Sequence, residues 1–429
     1  MNKSDSERLA FYLENLGLVE ATESSRADLF VLNTCGVRQK AEDRIYGLIP
    51  KVKKKNKKVK VVLTGCLSSR KDIRERLEDK VDIWLSIADL PQLDKKLEEF
   101  FPQIRADKGD REAREKDYLK ITPKFRSDFS AFVPIGNGCN NFCSYCVVPF
   151  ARGREIYRPA HDIFKEVEIL VQKGFKEIVL IAQNVNSYLS PGSSDNIDFP
   201  GLLEGLNSIS GDFWIRFSTS HPKDMSQELI DVIARGEKIC KHIHLPAQAG
   251  DDQVLARMNR KYSIQEYQDL VRSIRAKIPE MSLTTDIIVG FPGETKKQFE
   301  NSVNLFKELR FDMAYISQFS PRPGTRAFDM KDDVAPKEKK RREDRLAKIL
   351  AETSLNNNRK YLNKKFKVLV EGRAKSGDYF ARTGSNKNVK IIDEGNFSGD
   401  LIGSFQLVEI VDIQNFGLKG KIKNPEQKI

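Results

Sequence analysis

Three cysteines in an eight-residue stretch restrict the fold and chemistry of this chain more than any other feature. Cys139, Cys143 and Cys146 have the spacing Cys-x3-Cys-x2-Cys and follow Gly138. Cysteine thiolates hold iron–sulfur cubanes, which have four ligand positions. Only three thiols are close together in the sequence, so one iron would have no protein ligand. That iron could bind a substrate, as a catalytic zinc ion does at the position that the protein leaves open. We predict a cluster site that binds a ligand at its fourth iron; the alternatives are a zinc site and buried thiols.

Two further cysteines stand at the ends of predicted strands. Residues 27–33 and 59–64 are apolar enough to be buried strands, and a helical pattern from about 38 to 48 lies between them. This order predicts a βαβ unit with parallel strands, whose carboxyl ends share one ligand-binding edge. Cys35 and Cys66 follow these strands, so we expect them to be neighbours. A shared metal edge and a pair of small buried residues are both open interpretations.

The other single residues of interest carry weaker signals. The sixth cysteine, Cys240, has no cysteine nearby in the sequence and is expected to be structural. His221 and His244 are expected to be hydrogen-bonded core or loop histidines rather than ligands. Two strand ends offer polar or glycine-rich turns that could face a polar ligand or could be ordinary βα turns: Gln183 and Asn184 after one strand, Gly290 and Gly293 after another.

The rest of the chain alternates strands and helices before its character changes. Residues 103–128 are charged and predict a linker, and residues 336–365 predict a charged helix. Strands are expected at 177–182, 214–218, 242–245, 282–289 and 312–319. Short apolar stretches follow at 366–370, 389–392 and 407–413. The expected fold class is α/β: a flavodoxin-like N-terminal βα domain, a partial TIM-type βα barrel and a small C-terminal β-barrel.

Charge and hydropathy restrict the partners and the location. The net charge of +12 and the pI of about 9.2 favour a polyanionic partner such as nucleic acid, although a merely soluble basic protein is possible. No run of about 18 apolar residues indicates a membrane span. The polar first residues argue against a secretory signal, so we expect a cytoplasmic protein without a membrane partner.

Longer stretches carry a family resemblance. They are Asn33-Thr34-Cys35, Cys146-Val147-Val148-Pro149-Phe150, Arg152-Gly153-Arg154-Glu155, Gln183-Asn184-Val185-Asn186-Ser187-Tyr188, Ser218-Thr219-Ser220-His221-Pro222, Arg257-Met258-Asn259-Arg260 and Ser320-Pro321-Arg322-Pro323-Gly324-Thr325. Through these stretches the chain resembles the radical S-adenosylmethionine (SAM) methylthiotransferases. Within that family it is most similar to the tRNA-modifying branch called MiaB. The resemblance implies a methylthiotransferase domain over 1–110, a radical SAM core over 125–356 and an RNA-binding TRAM domain over 358–424.

The resemblance also implies the cofactors and their sites. Cys139, Cys143 and Cys146 would hold the radical SAM 4Fe–4S cluster, and Cys35 and Cys66 would belong to an auxiliary 4Fe–4S cluster. SAM would bind the open iron. The candidate SAM contacts are the residues at the two strand ends described above, Gln183, Asn184, Gly290 and Gly293. No further catalytic side chain is implied beyond the clusters.

The implied reaction places a methylthio group on carbon 2 of isopentenyl-adenosine next to the tRNA anticodon, with two molecules of SAM. The partners would be tRNA and an unidentified electron donor, and the enzyme would be a monomer. Sister enzymes acting on threonylcarbamoyl-adenosine or on a ribosomal-protein aspartate are an alternative, and an RNA-binding zinc protein is a non-enzymatic alternative.

The C-terminal barrel is expected to supply tRNA affinity rather than chemistry. A set of basic residues before it is expected to contact phosphates: Lys337, Lys339, Lys340, Arg341 and Arg342.

The start of the chain departs from the family pattern. The family has three cysteines in its first domain, and the first of them precedes a stretch similar to Met1-Asn2-Lys3-Ser4-Asp5-Ser6-Glu7. The first strand of the domain, with its cysteine, would therefore be missing. Two thiolates are too few for a cubane that leaves one iron open, so we expect the true gene product to begin further upstream. The alternative is a degenerate enzyme that generates radicals but cannot deliver sulfur.

Overall fold

The computed structural model describes residues 1–36, 39–104, 117–192, 196–392 and 399–422. Its helices are α1 (Asn2–Asn15), α2 (Gln39–Lys55), α3 (Lys71–Leu77), α4 (Leu93–Leu97), α5 (Val148–Arg152), α6 (Ala160–Gln172), α7 (Phe199–Ser208), α8 (Gln227–Arg235), α9 (Asp252–Arg257), α10 (Ile264–Lys277), α11 (Lys296–Leu309) and α12 (Pro336–Asn358). Its strands are β1 (Leu29–Thr34), β2 (Lys60–Gly65), β3 (Ile83–Trp84), β4 (Ser130–Pro134), β5 (Gly136–Asn137), β6 (Ile156–Tyr157), β7 (Glu177–Ile181), β8 (Trp214–Phe217), β9 (His242–His244), β10 (Ser282–Val289), β11 (Met313–Gln318), β12 (Lys365–Arg373), β13 (Tyr379–Thr383), β14 (Asn388–Ile391), β15 (Phe405–Gln414) and β16 (Gly417–Ile422).

The chain divides into two compact units. The first comprises Met1–Arg126, Gly136–Ile156 and Ser320–Met330, and the second comprises Ser127–Ile135, Tyr157–Phe319 and Lys331–Ile429. The three-cysteine loop therefore belongs to the same unit as Cys35 and Cys66. Residues 105–116 of the expected linker lie outside the described residues.

The first unit is built on a small parallel sheet in the order β1-β2-β3. The predicted βαβ unit is confirmed, with α2 between β1 and β2 and with Thr34 paired to Gly65 at the carboxyl end. Buried aliphatic side chains cover both faces of the sheet: Val62 and Ile83 on one side, Val61 and Leu63 on the other. A parallel sheet covered on both faces needs such continuous apolar strands.

The second unit begins with a partial parallel barrel. Two three-stranded parallel sheets have the orders β4-β7-β8 and β9-β10-β11, and an isolated parallel bridge between Ile215 and Ile239 links β8 to the segment that enters β9. All five strands predicted here are confirmed within one or two residues. Helices α10 and α11 begin with capping boxes, Ser263 with Glu266 and Thr295 with Gln298, which fix where each helix starts.

The predicted C-terminal β-barrel is also confirmed. Strands β12 to β16 close in the order β12-β13-β14-β16-β15 around a core that includes Val368, Tyr379, Ile391 and Ile410. Closure leaves no unpaired sheet edge. In the described part of the chain, no helix is long and apolar enough to cross a membrane.

Helix α12 corrects one expectation about charge. Lys339 is 5% exposed and Arg342 is 3% exposed. The Lys339 ammonium donates to the Phe319 carbonyl, and Arg342 pairs with Glu294 at 2.6 Å. These two side chains hold the helix onto the partial barrel, so the expectation that they contact phosphates is wrong.

Candidate active site

The three-cysteine loop is fixed by the segment that follows it. Gly138 has φ +84°, and a Cβ there would overlap the Arg154 carbonyl group, so only glycine allows this close approach. The Cys139 amide donates to the Gly153 carbonyl at 3.1 Å. Asn140 and Glu155 exchange two hydrogen bonds, each from a backbone amide to the other side chain, both at 3.2 Å. The Arg152–Glu155 stretch therefore shapes the loop without supplying a thiol.

The thiols of this loop lie in surroundings that disfavour their bare anions. Burial raises the pKa of the Cys139 thiol, although the Asn141 side-chain amide donates to its Sγ at 3.5 Å. Burial also raises the pKa of Cys146 to about 12. A bound metal overcomes this because its positive charge deprotonates a coordinating thiol. No disulfide joins any of the six cysteines.

The donor set of the loop is three thiols, and thiolates are the ligands of iron–sulfur cubanes, in which each binds a different iron. Within the described ranges, no group of three or more His, Cys, Asp or Glu side chains is arranged to hold one metal ion. Phe142, inside the loop, is 41% exposed and contacts Phe150 edge-on.

Cys35 and Cys66 follow neighbouring strands, as predicted. The Cys66 amide donates to the Thr34 carbonyl at 3.0 Å, and the Thr34 hydroxyl donates to the Thr64 carbonyl at 2.6 Å. A Cβ built on Gly36 would lie 3.1 Å from both the Cys66 Cβ and a Val147 methyl group. The turn after Cys35 therefore packs against Cys66 and against the residue that follows Cys146.

A buried ion pair, which the sequence did not indicate, supports the cysteine loop. Arg152, on the helix after the loop, pairs with Asp5 at 2.5 Å, and both side chains are nearly inaccessible. Arg152 also donates to the Asn137 side chain at 3.0 Å. Both partners lie in stretches that carry the family resemblance, which is the only sequence signal that could have linked them.

A cavity of about 440 Å³ lies beside Cys66 in the same unit. Cys66, Arg70, Val147, Phe150 and Pro323 line it, with six other residues. Arg70 is held by Glu42 at 2.6 Å and by Asp72. The Ser320–Thr325 motif thus contributes to a wall of a thiol-containing cavity.

In the second unit, two of the four expected SAM residues carry unsatisfied groups. Gln183 Oε1 and Asn184 Oδ1 follow β7, are buried, and have no hydrogen-bond partner within the described part of the chain. Buried acceptors without partners are costly, so they fit a polar ligand at the carboxyl end of β7. The Asn184 amide nitrogen is held by Asp224 at 2.8 Å, which fixes how the oxygen points.

The glycines expected to face SAM have their amides engaged by the protein. The Gly290 amide donates to Glu294 at 2.6 Å, and the Gly293 amide donates to Asp333 at 2.8 Å. Gly290 has φ +69°, and a Cβ there would overlap the Lys339 side chain. Packing alone accounts for Gly290, and a SAM contact from either glycine stays a prediction.

The isolated residues have ordinary surroundings. His221 is buried, and its Nδ1 accepts from the Lys223 amide at 3.2 Å. Burial, followed by the nearby charge of Arg260, lowers the pKa of His221 to about 2, so the ring is neutral. Cys240 is buried in an apolar cluster with Trp214 and other side chains, in agreement with a structural role.

A partial parallel barrel and a Cys-x3-Cys-x2-Cys loop together define a radical SAM enzyme. The family model described as the Radical SAM superfamily matches residues 133–306, and the one described as Uncharacterized protein family UPF0004 matches residues 1–86. Two solved structures share the fold: the radical SAM methyltransferase TsrM from Kitasatospora setae, with cobalamin and a [4Fe-4S] cluster bound, and the cobalamin-dependent radical SAM enzyme OxsB. Their TM-scores are 0.50 and 0.52, their identities 14% and 13%, and the matches cover 75% and 80% of this chain and 68% and 53% of theirs.

Curated relatives match the chain over nearly its whole length. The tRNA-2-methylthio-N(6)-dimethylallyladenosine synthase of Alkaliphilus oremlandii is 41% identical over 98% of this chain and 90% of its own. The enzymes of that name from Syntrophomonas wolfei and Carboxydothermus hydrogenoformans are 40% and 37% identical, over 99% and 98% of this chain and 96% of each relative. The chain belongs to this family of radical SAM methylthiotransferases, whose cofactors are 4Fe–4S clusters and SAM.

Proposed function

We propose that this enzyme adds a methylthio group to carbon 2 of isopentenyl-adenosine next to the anticodon of tRNA. The observation that carries the proposal is the match to tRNA-modifying relatives over 98–99% of the chain. The expectation of a non-enzymatic zinc protein is set aside, because the chain has both the radical SAM domain and the methylthiotransferase relatives.

Cys139, Cys143 and Cys146 are the proposed ligands of the radical SAM cluster. When bound, the cluster and SAM supply the one-electron chemistry that activates an inert carbon–hydrogen bond. The protein holds the three thiols on a loop whose backbone is bonded to Gly153 and Glu155. The buried pair of Arg152 and Asp5 keeps that loop in place.

Cys35 and Cys66 are the proposed ligands of the auxiliary cluster. Their strand ends are tied together by hydrogen bonds of Thr34 to Thr64 and Cys66. Gln183 and Asn184 are the proposed SAM contacts, because their buried oxygens lack protein partners. Gly290 and Gly293 are proposed to shape the end of β10 that faces the same cofactor.

The C-terminal barrel, within residues 358–424, is proposed to be a TRAM domain that binds tRNA. Phe380 on β13 is 48% exposed and pairs across the strands with Lys390, which pairs in turn with Lys419. An exposed aromatic ring beside lysines suits stacking on unpaired bases and contact with phosphates. We further propose a monomeric, cytoplasmic enzyme with an electron donor still to be identified, and domain limits of 1–110, 125–356 and 358–424.

Nucleoside mass spectrometry of tRNA tests the reaction. A strain that lacks this gene should accumulate isopentenyl-adenosine without the methylthio group, and the gene should restore the modification. The Cys143→Ala variant should fail to restore it, whereas Cys240→Ala, the same change in a structural cysteine, should succeed. Restoration of methylthio-threonylcarbamoyl-adenosine instead would assign the substrate of the sister enzymes.

A further inference from the structure

Asp286 and Tyr315, which the sites described above do not use, stand side by side in the second unit. They pair in register across β10 and β11. The Asp286 side chain is 37% exposed and Tyr315 is 51% exposed, so both are accessible to a ligand. Together they offer a carboxylate that accepts hydrogen bonds and an aromatic ring that can stack.

Both side chains face the inside of the partial barrel. Successive side chains of a strand point to opposite faces of the sheet. On the opposite face, the hydroxyl of Thr285 lies 3.5 Å from a tyrosine hydroxyl of α10, and Gln318 donates to Glu343 of α12 at 2.9 Å. Helices cover that face, so Asp286 and Tyr315 point away from the helices and into the partial barrel.

The position of β11 makes this place reachable from the side. The parallel strands follow one another in the orders β4-β7-β8 and β9-β10-β11, with β8 joined to the segment before β9, so β4 and β11 are the outer strands. An enzyme that modifies a base takes that base out of its stack and into the protein. A base attached to a large RNA needs an open path, and an outer strand offers one.

Neighbouring side chains hold the Asp286 carboxylate and the Tyr315 ring in place. His244 Nε2 is 3.3 Å from Asp286, and His244 Nδ1 is 3.0 Å from the Thr284 hydroxyl. The rings of His244 and Tyr315 are 6.0 Å apart and inclined by 71°. A carboxylate has about four acceptor positions, so Asp286 can contact His244 and still accept a hydrogen bond from a ligand.

Asp286 and Tyr315 lie below the level of the proposed SAM contacts. Each stands three residues before the end of its strand, which at about 3.3 Å per residue is about 10 Å from the carboxyl edge. Gln183 and Asn184 follow the end of β7 and lie at that edge. The partial barrel therefore has polar groups at two levels, one for SAM at the edge and one for a second ligand further inside.

We propose that Asp286 and Tyr315 bind the base of the substrate nucleotide, with the base stacked on Tyr315 and its exocyclic N–H donating to Asp286. This inference rests on the proposed function. The base of isopentenyl-adenosine has one N–H group, on N6, and its ring nitrogens only accept hydrogen bonds. A carboxylate recognises that single donor, and contact at N6 leaves carbon 2 uncovered for the reaction.

Equilibrium binding to the holoenzyme without a reductant tests the contact with Asp286. Two anticodon stem-loop RNAs are compared, one with isopentenyl-adenosine and one in which a methyl group replaces the N6 hydrogen. The wild-type enzyme should bind the methylated RNA about tenfold more weakly, because a hydrogen bond to a charged group is lost. Asp286→Ala should bind both RNAs with the same, weaker affinity, whereas the control Asp269→Ala, at an exposed side chain of α10, should keep the wild-type preference. The wild-type preference in Asp286→Ala would overturn the inference.

Two substitutions at Tyr315 test the stacking contact independently. Tyr315→Phe keeps a ring that can stack, so it should bind the isopentenyl-adenosine RNA as the wild type does. Tyr315→Ala removes the ring and should bind the same RNA about tenfold more weakly, the usual effect of losing one aromatic side chain under a base. Equal affinities of these two variants for the RNA would contradict stacking on Tyr315.

Two further measurements keep this inference distinct from the proposed function. Methylthio formation by the wild-type holoenzyme on the isopentenyl-adenosine RNA tests the reaction, and the absence of product would refute the proposed function. Product together with an unchanged RNA preference in Asp286→Ala would refute only the contact with the base. Equilibrium binding of SAM tests the other adenine of the reaction. A loss of SAM affinity in Asp286→Ala, with the RNA preference intact, would mean that Asp286 binds SAM and would overturn the inference.

Discussion

The carboxyl ends of β1 and β2 and the amino ends of β7, β8 and β9 use polar residues in opposite ways. At the first edge, Cys66 lines a cavity, and the backbone around Cys35 and Cys66 makes the hydrogen bonds that hold the turn. At the second, Glu177 and Arg216 are buried and paired with each other and with the C-terminal barrel. Parallel strands thus separate groups available to ligands from groups that stabilise the fold.

This difference predicts two kinds of response to mutation. Changing a group at the cysteine sites should abolish chemistry and leave the stability nearly unchanged. Changing a group at the amino ends of β7 to β9 should lower the stability and affect chemistry only through the fold.

The largest expected effect is the loss of activity in Cys143→Ala. A cubane held by two thiolates loses a ligand that it needs for stable binding, so SAM cleavage should fall to the detection limit. The free energy of unfolding of the apoprotein should change little. Deoxyadenosine production under reducing conditions is the measurement, with Cys240→Ala as the control. Undiminished production in Cys143→Ala would remove this loop from the proposed chemistry.

A chain that ends at Asn357 should be the next most affected. Removing the C-terminal barrel leaves Arg216 and Asp312 without Thr383 and Lys387 and uncovers Trp214, which packs on Phe405 at 4.7 Å. The sequence predicts that this barrel supplies tRNA affinity rather than chemistry, and the structure adds that the barrel packs on the amino ends of β7 and β8. We expect the shortened chain to aggregate or to unfold at a markedly lower temperature. A normal melting temperature together with weak tRNA binding would mean that the barrel serves only to bind tRNA and does not stabilise the partial barrel.

Glu177→Gln should sharpen the comparison at a single position. It leaves Arg216 and Arg382 without their shared carboxylate in a buried place, at a cost of about 3–5 kcal/mol in the free energy of unfolding. The control is Asp212→Asn, which breaks an exposed pair with Lys367 and should cost less than about 1 kcal/mol. Denaturant titrations of both variants measure the difference, and equal costs would mean that burial is irrelevant here.

The sequence predicted the architecture well because apolar strands and Gly-led turns are local signals. It placed β10 at the observed residues and predicted that Cys35 and Cys66 follow adjacent strands. It could not predict which charges are buried, because Lys339 and Arg342 look like solvated residues until α12 packs on the barrel. The Arg152–Asp5 pair and the contact between Asn386 and His242 each join residues more than 100 positions apart, and no local pattern indicates such partners.

The smallest expected effect concerns acid and His221. Its pKa is lowered to about 2 in the folded protein, chiefly by burial, while the unfolded chain keeps a value near 6.5. The unfolded state therefore binds more protons below pH 6.5, and the stability that is complete above this pH is lost progressively as the pH falls toward 2. Between pH 7.5 and 5.5 this one ring should lower the free energy of unfolding by about 1.4 kcal/mol.

In His221→Gln, which keeps an acceptor for the Lys223 amide, this part of the pH dependence should disappear. His161→Gln, at a side chain that is 81% exposed, is the control and should leave the wild-type slope intact. Denaturation midpoints at the two pH values decide the matter, and an unchanged slope in His221→Gln would mean that His221 takes up its proton in the folded state as readily as in the unfolded one.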